Sequence, residues 1–136
     1  MNFAEKLKEL RTKSGLSQEE VAKAAGVSAR AYRSYETQGI YPRNREVYRK
    51  LADTFGCDLN YLLTENEAFV ADAAEQYGLR GQKQAQELVS QVSGLFAGGS
   101  LADEDLDMMM KSIQDAYWIA KEKNKKYGRK QETPQE

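Results

Sequence analysis

A single glycine, Gly26, stands within SQEEVAKAAGVSARAYRSYE, residues 17–36, between two segments that each read as a short helix. Both segments open on serine. Ser17 begins the Ser-x-x-Glu spacing of a capping box for a helix to about Ala25, and Ser28 can cap a helix lasting to about Thr37. One glycine is too little for a flexible linker. Its use is a positive φ at the end of the first helix, which reverses the chain without the clash a Cβ would bring. Ala22 supplies the small side chain needed where the second helix crosses the first, and Val21, Ala25, Val27, Tyr32 and Tyr35 are spaced to turn inward. Ser28, Ala29, Arg30, Arg33 and Ser34 are left to face outward.

The same punctuation divides the rest of the N-terminal half. Phe3, Leu7 and Leu10 share one face of a helix over residues 2–13, ended by Ser14-Gly15. Residues 38–42 form a loop. Asn44 caps a helix carrying Val47, Leu51 and Phe55, Gly56 stops it, and Asp58 starts the short segment DLNYLL. Beyond it the chain expects a helix over 65–77 broken at Gly78 and Gly81, and another over 82–97. A turn at Gly98-Gly99-Ser100 then leads to a final helix from Asp103 to about Tyr127. Its first turn is acidic and its end is rich in lysine, both complementary to the helix dipole. Residues 128–136 lack aliphatic side chains and are expected to fray. The division is therefore 1–64, a five-helix domain; 65–127, about three helices; and 128–136, a disordered tail. The fold class is all-α.

Charge is divided unevenly. Residues 1–63 hold eleven lysines and arginines against eight carboxylates, while the whole chain carries a net charge of −1. Between Arg30 and Lys50 the basic residues number six and the acidic two, a cluster suited to a polyanion. No apolar run is long enough to span a membrane, the amphipathic start MNFAEKLKEL does not read as a signal peptide, and one cysteine, Cys57, permits no internal disulfide. A cytoplasmic location is expected.

Two short helices joined by a glycine-bearing turn make a helix-turn-helix. In this order, FAEKLKELRTKSGLSQEEVA, the turn AGVS, the YE ending the third helix and LADTFGCDLNYLL resemble the Cro/C1-type (XRE) helix-turn-helix family of bacterial and phage transcriptional regulators, over roughly residues 3–63. The resemblance implies a lambda-repressor-like five-helix domain that binds operator DNA as a dimer and represses transcription. It places Ser28, Ala29, Arg30 and Ser34, flanked by Arg33, at base edges or the adjacent backbone. It places Gln18 and the loop residues Tyr41, Arg43, Asn44 and Arg45 at phosphates. Tyr32 and Tyr35 depart from the smaller aliphatics or tryptophan common in that family. The chemistry agrees: a helix fits the major groove, and an arginine can donate twice to guanine. Arg33 also has Glu36 at i+3 as an intrahelical partner.

One such domain makes few phosphate contacts, and dimers set two recognition helices about 34 Å apart. Leu106, Met110, Ile113 and Tyr117 recur in steps of four and three. Together with Leu88, Val92, Leu95 and Phe96 they offer a homodimer surface, or one that covers the chain's own helices. The alternative is an antitoxin-like autoregulator whose C-terminal helices bind a partner protein. Catalysis is not expected, since the chain has no histidine, no isolated carboxylate pair and no phosphate-cradling loop. No cofactor or metal is expected either: adjacent methionines 108–110 diverge around a helix, and Cys57 reads as a small packing residue.

Overall fold

The computed structural model describes residues 1–97 and 102–132, so the expected turn at Gly98-Gly99-Ser100 lies outside the described residues, as do residues 133–136 of the expected tail. Among the described residues every regular element is a helix. The starts follow from local hydrogen bonding. α1 (Phe3–Ser14) begins on Asn2, whose side chain accepts from Glu5 N while the Glu5 carboxylate accepts from Asn2 N. α2 (Gln18–Ala25) repeats this box with Ser17 and Glu20. α3 (Ala29–Thr37) and α4 (Arg45–Phe55) are capped by Ser28 and Asn44. α5 (Leu59–Leu62) follows Asp58, which makes no side-chain capping bond. Gly26 ends α2 at φ 73°, the left-handed turn the corner requires.

The helices of the corner pack on α1 and α4 around Leu7, Val21, Tyr32, Leu51 and Leu62, all sealed from solvent. Burying each large apolar side chain contributes about 1.5–3 kcal/mol. Ala22 and Ala25 are buried as the crossing demands; Val27 is half-buried. Phe3 stacks on Tyr41 with ring centroids 4.7 Å apart and meets Tyr48 at 5.7 Å.

α6 (Glu65–Phe96) is one element with a break at Gly78, where φ is 70° and ψ −156°. Thr64 starts it through a reciprocal pair with Glu67. Gly81, expected to break the helix as well, lies inside the second segment. α7 (Asp103–Glu132) continues five residues beyond the expected end at Tyr127, into the stretch read as frayed.

The chain forms two compact units, Met1–Leu88 and the residues from Val89 onward. The first therefore includes α6 up to Leu88, with Phe69, Val70, Ala73, Ala74 and Ala85 buried. Lys6, one charge among several on α1 in the sequence, is also buried: it donates to Tyr61 O at 3.0 Å and pairs with Glu67. This unit extends well past residue 64, where the sequence pattern placed the boundary.

Candidate nucleic-acid interface

The outer face of α3 is concave. Ser28, Arg30, Ala31, Arg33, Ser34, Thr37, Gln38 and Ile40 line a groove of about 560 Å³. Four of the five expected base-facing residues are thus brought together; Ala29 is half-buried and does not line the groove. Their hydrogen-bonding capacity differs. Ser28 Oγ accepts from Ala31 N at 3.0 Å as the helix cap, and Ser34 Oγ donates to Ala31 O at 2.6 Å. Ser34 thus spends its O–H on the helix, whereas Ser28 only accepts in its capping bond. Arg33 is exposed and reaches Glu19 at 3.8 Å, a surface pair of little energetic weight. Arg30 is exposed and makes no hydrogen bond or ion pair with any described residue, so its whole guanidinium fork is open to a ligand.

A polar brace behind this face was not legible in the sequence. Arg11 grips Glu36 with Nε–Oε2 at 2.6 Å and Nη2–Oε1 at 3.1 Å, and also donates to Leu16 O at 3.1 Å. The Glu36 side chain is only 2 % exposed. Burial alone would raise its pKa, but hydrogen bonds from Arg11 and Gln18, with the Tyr32 hydroxyl close by, outweigh this and hold the carboxyl below its ordinary value. Tyr32 lies sealed beneath. Its hydroxyl sits beside Glu36 without reaching good hydrogen-bond geometry, and burial pushes the phenol far up. The i+3 pairing of Arg33 with Glu36 is therefore replaced: Glu36 turns inward to Arg11, 25 residues away.

Gln18 belongs to this brace, donating to Glu36 Oε1 at 3.3 Å. The four loop residues expected at phosphates are engaged as well. Tyr41 is buried against Phe3. Asn44 caps α4, accepting from Glu46 N at 2.9 Å. Arg43 Nε donates to Ala74 O at 3.1 Å and Nη2 to Glu75 O at 3.3 Å, at the end of the segment that precedes Gly78. The final carbonyls of a helix segment need such donors, and a cation there complements the dipole. Arg45 pairs with Asp72 and, at 3.3 Å, with Glu75, while staying largely exposed. Burial raises the Asp72 carboxyl against the pull of Arg45.

In the second unit the expected dimer stripe divides. Leu106, Met110, Ile113 and Tyr117 on α7 are half-buried, as is Leu88 at the end of the first unit; Val92 is buried. Leu95 is 78 % exposed, and the side chain of Phe96 lies outside the described residues. Met108 and Ile119, which were not in the stripe, stand open to solvent. Cys57 is half-buried with its thiol raised chiefly by burial. Among the described residues no cluster could hold a metal ion, and no helix is long and apolar enough to cross a membrane.

Residues 2–61 match the family model of a helix-turn-helix domain, which supports a DNA-binding regulator. No curated protein and no solved structure matches the chain.

Proposed function

We propose that the protein is a sequence-specific transcriptional repressor of Cro/C1 type that inserts α3 into the major groove of a palindromic operator. The observation that carries this reading is Arg30. It stands at the start of the outer helix, on a concave face, with no donor claimed by any described residue, while a buried Arg11–Glu36 brace supports the helix behind it. A pre-aimed arginine of this kind suits bidentate donation to guanine O6 and N7. Arg33 adds positive charge on the same face, and Arg45, still largely exposed, can trade its carboxylate partners for a phosphate.

Operator binding as a homodimer completes the proposal. The apolar residues Leu95, Met108 and Ile119, exposed in the second unit, supply surface for pairing. Selection of bound sequences from random duplex DNA tests the whole reading. The expected result is a two-fold symmetric motif with half-sites about one helical turn apart. Failure to enrich any sequence would reject it.

A further inference from the structure

The loop that leaves α3 is held to the second segment of α6 through the side chain of Gln82. Gln82 is 3 % exposed; its Oε1 accepts from Tyr41 N at 2.8 Å and its Nε2 donates to Gly39 O at 2.8 Å. Its carbonyl oxygen and one amide N–H are thus both used on the backbone of one short loop, while Nε2 also donates to Gln86 Oε1 at 3.4 Å. The residue between the two anchor points, Ile40, lines the α3 groove and donates from its backbone to Ser34 O at 3.3 Å. The exit of α3 is thus tied on one side to its own helix and on the other to α6.

Gly81 makes this tie geometrically accessible. A Cβ there would lie 2.5 Å from Tyr77 Cβ and 2.7 Å from Ala73 O. Only glycine lets the segment after the break lie so close to the segment before it, and that approach carries Gln82 to the loop. Arg43, donating to Ala74 and Glu75 carbonyls, joins the same loop region to the other side of the break.

We propose that Gln82 is a positioning residue of the DNA-reading surface: by holding Gly39 and Tyr41 it sets the exit of α3 and so the base discrimination that surface achieves. This rests on the reading of α3 as the recognition helix. Loss of the carboxamide leaves a buried N–H and C=O without partners, so the loop moves toward water and the far end of the groove loses its fixed shape. Phosphate attraction depends on charge and is unaffected, because Gln82 carries none.

The test uses the full chain with Gln82→Ala, Gln82→Met, which keeps the side chain's length and packing, and Gly81→Ala, which leaves the carboxamide intact but displaces it. Dissociation constants are measured at fixed salt for a selected operator and for a scrambled duplex, each corrected for the folded fraction. Expected is a loss of about tenfold on the operator with the scrambled duplex changed by less than about twofold. A purely structural role would lower both together, and that result overturns the proposal, as does an unchanged ratio in the folded Gln82→Met protein. A wild-type protein that does not discriminate between duplexes would instead overturn the recognition-helix reading, and this inference with it.

Discussion

At the scale of single residues, the arginines of the N-terminal unit carry three different duties. Arg11 is internal, Arg43 fastens a helix end, and Arg30 is open. Sequence alone ranks them by position along the chain, and charge composition treats them alike. Their separation follows from where carboxylates and carbonyls arrive in three dimensions. Arg43→Ala is accordingly expected to lower stability without DNA by about 1–2 kcal/mol, read as a shift in the urea midpoint. Unchanged stability with a salt slope of DNA binding reduced by about one would return Arg43 to the phosphate contacts. Glu36 gives a pH signature. Its carboxyl is held below the ordinary value of 4.5, so the stability it adds is full above that pH. That contribution is lost as pH falls through the folded-state value. Glu36→Gln should be less stable at neutral pH, by about 3 kcal/mol for a broken buried pair, and should lose less stability on acidification. Equal acid limbs in the two proteins would show that the brace contributes nothing.

At the scale of elements, the helix starts were legible because their causes are local. Ser17 with Glu20, Ser28 and Asn44 act within three residues of themselves, and Gly26 needs only its own φ. The Thr64–Glu67 box carried the same signal in the letters TENE. What the letters could not separate is Gly78 from Gly81. One has the positive φ that bends α6, while the other is a helical residue whose missing side chain permits a close approach. Only the packing between the two segments distinguishes them. Likewise Lys6–Glu67 and Gln82–Tyr41 join residues 61 and 41 positions apart, beyond the reach of any periodicity. At the corner, Gly26→Ala must hold a left-handed conformation, while its Cβ meets only the mobile end of Lys50 at 3.3 Å. A cost of about 1–2 kcal/mol in thermal or denaturant unfolding is expected, from backbone strain rather than crowding. A neutral substitution would mean the turn is not rigid.

At the scale of the whole molecule, the compact N-terminal unit reaches Leu88, past the helix-turn-helix match that ends at residue 61. Cutting at residue 64 would remove Glu67 from Lys6, Asp72 and Glu75 from Arg45, and Gln82 from the loop. A fragment of residues 1–88 keeps all of these. Light scattering of the full chain is expected to give twice the monomer mass, and the 1–88 fragment the monomer mass. Dimeric 1–88 would move the interface out of the second unit.

The central claim is that Arg30 reads a base pair rather than decorating a surface. Its most direct measurement is the affinity of wild type and Arg30→Ala for one selected operator and for that operator with each base pair replaced in turn. The wild-type protein should lose about 1–3 kcal/mol at one symmetry-related guanine position, and Arg30→Ala should show no preference there while retaining its preferences elsewhere. Identical base-pair profiles for the two proteins would contradict the claim.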